Sequence, residues 1–541
     1  MKNTLSVNIV DIVNKRIFAG RIVIKDGKIA EITETNEKYN NYILPGFVDS
    51  HIHIESSMLI PSEFARIASI HGTVATVSDP HEIANVMGIE GVNFMLNNKT
   101  NFKTYFGAPS CVPATSFETS GAVFNTAEIE KLMKNPKIKY LSEVMNFPAV
   151  INRDSDMMAK IEIAKKYNKP IDGHAPGLTG ENLKKYFSAG ITADHEAMSY
   201  EEALEKIENG VMIQIREGSA AKNFDALHPL IKKYPDKLMF CSDDLHPDEL
   251  LQGHINLMVK KALQKGYDFM DVLQIASYNP IKHYNLDVGL LQKGDPADFI
   301  MTKNLHDFSN ITTYINGIKV AENGKSLLDK INETPINKFI TKLKTENDFK
   351  VRAESDFVNV ISALDGQLFT KKEIYKVKIK AGYAISDAQN DILKIVVVNR
   401  YFDAKPMVAF IKNFGLKTGA IASSVAHDSH NIIAVGCSDA EISKAVNLII
   451  QNKGGLSWAN KNNSDVLPLP FAGLMTDAPY NKVAKKYREM ENVARKFGSK
   501  LKAPYMTLSF MALPVIPELK LTDKGLFDVS KFGFIKLFTE R

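Results

Sequence analysis

The chain has 541 residues, of which 45% are hydrophobic and 24% charged, and a formal net charge of +5. That length can bury more than one core and corresponds to roughly three or four domain-sized units of ordinary globular composition. The small net charge and the lack of a long basic run argue against nucleic acid or an anionic membrane as a partner, and the lack of an apolar stretch of about 18 residues argues against a membrane span.

The first twenty residues, MKNTLSVNIVDIVNKRIFAG, contain no continuous apolar signal core and place Asp11 inside their best hydrophobic run. Cys111, Cys241 and Cys437 are far apart and form no C-x-x-C pair, which excludes a disulfide framework and a cysteine-based zinc site. A reducing, cytoplasmic setting is expected. Residues 3–45 read as short alternating strands with the turn KDGK between two of them.

From about residue 46 to 285 short apolar runs alternate with helix-length segments: GFVDSHIH, GTVATVSDP, FKTYFGAP, IKYLSEVMN, KPIDGHAP, GITADHEAM, GVMIQIREGS and KLMFCSDD. Eight such runs predict a parallel (β/α)8 TIM-like barrel, the fold class α/β, whose active site lies where the strands end. Residues 286–335 return to β-like segments (ADFIMT, TTYINGIKV) that complete the sheet begun by residues 1–45, giving a small composite β domain. The polar stretch TPINKFITKLKTENDFKVRAES predicts a linker or surface helix, and residues 345–541 a C-terminal α/β domain mixing ILKIVVVNR and NIIAVGCS with helical segments. There is no internal repeat and no low-complexity tract.

The first run carries His51 and His53 at alternating positions, so both side chains leave the strand on one face. Two imidazoles aimed at one point are a metal-ligand geometry, and alone they are equally consistent with two surface histidines near a turn. The later strand ends add Asp79, His81, Glu82, Glu143, His174, His195, Asp243 and Asp244. Each has an ordinary explanation in isolation (a loop acid, a core histidine, a helix cap), but their shared position at strand ends does not. Four histidines and two carboxylates exceed what one tetrahedral ion with an open position takes, and they suit two divalent ions about 3.5–4 Å apart with a bridging carboxylate. Imidazole and carboxylate donors without thiolate accommodate Mn2+, Fe2+ or Zn2+.

These motifs resemble the amidohydrolase superfamily, and within it the adenine deaminase family. HIH after the first strand, one histidine after each of the fifth and sixth, and Asp after the eighth are similar to the superfamily. TVSDPHEIANVMG, SEVMNFPAV, DGHAPGL, DHEAMS, REGSAAKN, SDDLHPDELL, HDSHNIIAVG and LSFMALPVIPELKLTDKGL are similar to the family along essentially the whole chain. Many dinuclear superfamily members bridge their ions with a carboxylated lysine after strand four, whereas this chain offers Glu143, as adenine deaminases do. The resemblance implies conversion of adenine and water to hypoxanthine and ammonia in purine salvage, with two divalent ions, manganese or iron, on His51, His53, Glu143, His174, His195 and Asp243. It implies a metal-bridging hydroxide as nucleophile, and Asp243 as the group passing its proton to the leaving nitrogen. The small-molecule substrate is adenine, and homo-oligomerisation is expected. The cytidine-deaminase type of zinc site is excluded, since it needs P-C-x-x-C.

Several residues keep more than one reading. Asp79, His81 and Glu82 could support the ligand histidines, orient the purine or hold an additional ion. Arg216, Glu217 and Ser219 could read the ring nitrogens, or Arg216 and Glu217 could pair with each other near the surface. Asp244 is either a structural hydrogen-bond partner or a substrate contact. His427, Asp428 and His430 could be a polar turn. Alternatively their loop reaches the barrel's C-terminal face and closes the adenine pocket. For the whole chain, the other readings are a superfamily hydrolase cutting a cyclic amide or an N-acetyl group, and a non-catalytic binding protein.

Overall fold

The structure is a computed structural model that describes residues 2–219, 221–308 and 310–540. The chain divides into two compact units: residues 1–80, 95–110 and 125–332 form the first, and residues 81–94, 111–124 and 333–541 the second.

In the first unit, β1 (Lys2–Asp11), β2 (Arg16–Lys25) and β3 (Lys28–Glu34) form an antiparallel meander, and β4 (Tyr42–Pro45) pairs parallel to β1. The barrel follows: β5 (Phe47–Ile52), β6 (Thr73–Ser78), β7 (Lys103–Ala108), β8 (Ile138–Val144), β9 (Ile171–Gly173), β10 (Ala193–Asp194), β11 (Met212–Arg216) and β12 (Leu238–Cys241). Each of the eight apolar runs of the sequence supplies one strand. The strands pair parallel in chain order, and the ring closes between the ends of β5 and β12, where Asp243 N donates to His51 O at 2.9 Å. Strands buried on both faces need near-continuous apolar sequence, and β5, β6 and β12 are buried at every position. Several of the helices between them start at side-chain caps: Asn125 forms a capping box with Glu128, Asp154 accepts from Met157 N, and Ser199 from Glu202 N.

After the barrel, β13 (Phe299–Thr302), β14 (Thr312–Ile315), β15 (Ile318–Glu322) and β16 (Lys325–Ser326) return to β4, so the two flanks build one eight-stranded sheet. Its core is Val7, Ile9, Ile22, Ile43 and Phe299.

The second unit is built on a mixed sheet that includes Phe357–Ala363, Leu393–Val398, Met407–Lys412, Ala420–Ser423 and Ile432–Gly436. The helix Asp439–Gln451 lays Ile442, Val446 and Ile449 on that sheet. The stretch 334–355 is not a surface helix. Its first part has no regular structure and is tied to the unit by Ile340 N donating to Arg400 O at 2.8 Å; a 3-10 turn at Glu346–Phe349 then buries Phe349. Segments 81–94 and 111–124 belong to this unit although they lie within the barrel's sequence. Among the described residues no helix is long and apolar enough to cross a membrane.

Candidate metal centre

His51 and His53 leave the end of β5 on one face, as their spacing predicts, and their Nε2 atoms lie 3.2 Å apart. Glu143 enters from β8 and divides its two oxygens. Oε1 is 3.3 Å from His53 Nε2, while Oε2 is 2.7 Å from His174 Nδ1 and 3.4 Å from His195 Nε2. Asp243 follows β12 in a left-handed conformation (φ 55°), which brings its Oδ1 to 3.2 Å from His53 Nε2 and 3.7 Å from His51 Nε2. All six side chains therefore converge at the C-terminal end of the barrel.

The donor chemistry fits a pair of divalent cations. His53 Nδ1–H donates to the Asp79 carbonyl at 3.1 Å, which turns Nε2 toward Glu143 and Asp243. Burial, then the neighbouring His195 and His53 imidazoles, pushes the His51 pKa down and keeps that ring neutral. Burial also opposes charge on the acids, but His174 and His53 hold Glu143 well below the usual carboxylate range, and Arg216 first among several groups does the same for Asp243. Burial lowers the His174 pKa, but Glu196 and Glu143 outweigh it and raise that pKa to about 9. Ionised carboxylates packed against imidazole nitrogens form a site built for positive charge, and one carboxylate facing two groups of nitrogens is a bridging arrangement.

Two further groups organise the donors. Arg216 is buried and forks Glu196, with Nη1 to Oε1 at 2.5 Å and Nη2 to Oε2 at 2.9 Å, while Nη1 also reaches Asp243 Oδ2 at 2.6 Å. Arg216 does not pair with Glu217, which lies just beyond the end of β11. Glu217 pairs instead with Lys261. Glu196 was missed in the sequence, where the only signal was its place beside His195 in DHE. Asp49 Oδ1 accepts the backbone N–H of His51 at 3.2 Å and of Ser242 at 3.0 Å, and Oδ2 accepts from Ser242 Oγ and, at 2.7 Å, from His254 Nε2. It thereby clamps the two strand ends that carry His51, His53 and Asp243.

The remaining sequence candidates separate. Asp244 Oδ1 accepts from Ser56 Oγ at 2.5 Å, and Ser219 Oγ donates to Glu249 at 2.8 Å. Asp79 stays with the first unit, while His81 and Glu82 open the helix His81–Met87 of the second. There Glu82 takes two imidazoles, Oε1 bonded to His427 Nδ1 and Oε2 to His430 Nε2. His430 Nδ1 accepts Ala426 N–H at 3.2 Å, so its Nε2–H is the donor to Glu82. His81 Nε2 is 3.6 Å from Glu82 and 3.9 Å from Asp428. Within the second unit these buried groups gather at a turn in which His430 has φ 54°.

A (β/α)8 barrel with imidazole and carboxylate donors converging at its C-terminal end defines a metal-dependent hydrolase of the amidohydrolase class. The amidohydrolase family matches residues 42–325, and the adenine deaminase C-terminal domain matches residues 367–533. Proteins named adenine deaminase are similar over the full length. One from Sulfurovum sp. (strain NBC37-1) is 59% identical over 98% of both chains, and one from Borreliella burgdorferi is 52% identical over 98% of this chain and 99% of its own. One from Methanosarcina mazei is 50% identical over 100% of both. The chain belongs to the adenine deaminase family.

Proposed function

We propose that this chain hydrolyses adenine to hypoxanthine and ammonia, one water being consumed for each ammonia released, as a purine-salvage enzyme. Full-length similarity to adenine deaminases carries the reading, and the bridging placement of Glu143 supports it. His51, His53, Glu143, His174, His195 and Asp243 would hold two divalent ions, Mn2+ or Fe2+. When bound, such ions supply a hydroxide-strength nucleophile near neutral pH.

The chain's own groups do the rest. Asp243 keeps Oδ1 turned toward the imidazoles while Arg216 holds Oδ2, so the carboxylate is ionised and oriented to take a proton and return it to the nitrogen leaving C6. The Glu196–Arg216 fork fixes that orientation at fully buried positions. His53 is oriented by the Asp79 carbonyl, and His51 by the Asp49 clamp on its backbone. The cysteines Cys111, Cys241 and Cys437 are all free thiols, which favours a reducing compartment such as the cytoplasm.

The test is turnover of adenine, followed by ammonia release, on apoprotein reconstituted with Mn2+, Fe2+ or Zn2+, against dihydroorotate and a hydantoin. Ammonia from adenine alone, with two ions per chain at full activity, is expected. Hydrolysis of a cyclic amide in place of adenine rejects the reading, as does full metal loading with no turnover.

A further inference from the structure

The interior of a (β/α)8 barrel is ordinarily filled by layers of branched apolar side chains. Here the interior beneath the metal donors carries polar side chains at more than one level. Thr76 and Ser78 on β6, Tyr140 and Ser142 on β8, Asp172 on β9 and Gln214 on β11 are all at 0% exposure. Thr76 Oγ1, Ser78 Oγ, Tyr140 Oη, Ser142 Oγ, Asp172 Oδ1 and Gln214 Oε1 have no hydrogen-bond partner on the protein. Native folds leave few buried polar atoms uncompensated, and six in one barrel is a pattern.

The contacts of Tyr140, Asp172 and Gln214 place those side chains inside the ring. Tyr284 Oη donates to Asp172 Oδ2 at 2.7 Å and accepts from Gln214 Nε2 at 3.2 Å, and Gln214 Nε2 also donates to Ser50 O at 2.8 Å. These groups come from β9, β11 and β5, and β5 and β9 stand on opposite sides of an eight-stranded ring, so the bridge crosses its interior. The Tyr140 ring packs edge-on against Tyr284 at 5.4 Å and lies over Gly107 of β7, where an added Cβ would stand 2.8 Å from it. Glycine at that position leaves room for the phenol. Asp172 and Gln214 precede His174 and Arg216 by two residues, which puts these two side chains about 7 Å below the donors along the strands.

The donor layer has a matching deficit. His51 Nδ1 and His195 Nδ1 are buried and have no protein partner, and the two rings stack at 4.1 Å. An imidazole that ligates a metal through one nitrogen normally donates its other N–H to an acceptor.

We propose that the barrel encloses a cluster of ordered water bound by these six side chains, and that this water is the acceptor for the Nδ1–H groups of His51 and His195. Water suits the site because the hydroxyls can give or take a hydrogen, the Gln214 oxygen accepts, and Asp172, whose pKa burial raises well above the ordinary carboxylate value, can hold a proton and donate; an internal water makes two to four such bonds. Burial, with Asp79, Asp172 and Glu143 nearby, keeps the Tyr140 phenol protonated and therefore a donor to that cluster. The cluster's role is to fix ring tautomer and orientation from below. That part rests on the metal-centre reading of His51 and His195.

The experiment is a high-resolution crystal structure of the full-length, metal-loaded enzyme, with 17O relaxation dispersion on the Zn2+ form to count long-lived internal waters. Ordered water is expected within hydrogen-bonding distance of Tyr140 Oη and Asp172 Oδ1, and of at least one of the two Nδ1 atoms. Thr76→Val and Ser142→Ala should each lower the count of long-lived waters and speed metal loss to a chelator by about tenfold, and Thr76→Ser should restore both. If Ser142→Ala does not fold, Tyr140→Phe removes a hydroxyl of the same interior. A dry interior with these oxygens paired among themselves, or a monovalent cation in place of water, overturns the proposal. Loss of adenine turnover with the waters present would instead count against the proposed function, so the two failures are distinguishable.

Discussion

Asp49→Ala probes how far the metal donors depend on the clamp behind them. The substitution removes the acceptor for two backbone N–H groups, of His51 and Ser242, and for the Ser242 hydroxyl and the His254 imidazole, whose Nδ1 is bonded to Thr73 Oγ1 at 2.7 Å. Asp49, Ser242 and His254 are buried, so water does not readily replace it. Two orphaned buried N–H groups cost about 1–3 kcal/mol each, about 2–6 kcal/mol together, before the unpaired hydroxyl and imidazole are counted. The backbone at His51 is also freed to move, and loss of such support for a ligand weakens metal binding about 10–100-fold. Metal content after dialysis against a weak chelator, the thermal midpoint, and kcat at saturating Mn2+ would be measured together. Asp49→Ala should lose metal and midpoint, and excess metal should restore part of kcat. Asp49→Asn keeps one oxygen for the two backbone N–H groups and should fall between. An alanine variant with normal metal retention and an unchanged midpoint would refute the clamp.

Asp243→Asn should retain most metal but lower kcat by about 10²–10⁴-fold, because an amide cannot shuttle a proton; near-normal kcat would remove Asp243 from that role. Adenosine should be turned over far more slowly than adenine if the pocket closes around N9, and equal rates would contradict closure. His430→Ala leaves the Ala426 N–H and one Glu82 oxygen unpaired in a buried cluster, and should destabilise the second unit by about 2–4 kcal/mol in its denaturant midpoint; an unchanged midpoint would mean the bonds are dispensable. Lys520 is buried, donates to Leu368 O at 2.8 Å and Phe510 O at 3.0 Å, and burial lowers its pKa to about 7. From about pH 7 up to the ordinary lysine value of about 10.4 the unfolded chain therefore binds the extra proton, and stability on this account rises with pH. Lys520→Met should flatten that rise between pH 7 and 10, and parallel pH profiles would show that Lys520 does not titrate there.

What was legible in the sequence, and what was not, follows from the range over which each rule acts. The barrel was legible because a strand buried on both faces is largely apolar, and seven of the eight such runs stop at an ionisable residue, FKTYFGAP being the exception. The sequence left Arg216 and Glu217 open as a pair; Arg216 ends β11 facing Glu196 and Asp243, and Glu217, just beyond the strand, faces Lys261. Glu196 stayed hidden for a similar reason. Strand β10 ends at Asp194, so His195 and Glu196 lie beyond it, where alternation no longer decides which way neighbours point. Arg216 then finds Glu196 across 20 residues of intervening chain. Separation hid more in the second unit. Glu82 meets His427 and His430 across 345 and 348 positions, and nothing local in SDPHE or HDSHN announces that one carboxylate will hold both rings. The turn reading of HDSHN and the cluster reading describe the same residues, since the left-handed backbone at His430 belongs to the turn that brings both imidazoles to Glu82. Apolar periodicity specifies which strands line the ring, while the chemistry within it depends on polar pairs whose partners are distant in the chain. The interior layer of Tyr140, Asp172 and Gln214 is the sharpest case. Each sits in a run that reads as a buried strand, and only the assembled barrel shows that their oxygens are buried with no protein partner.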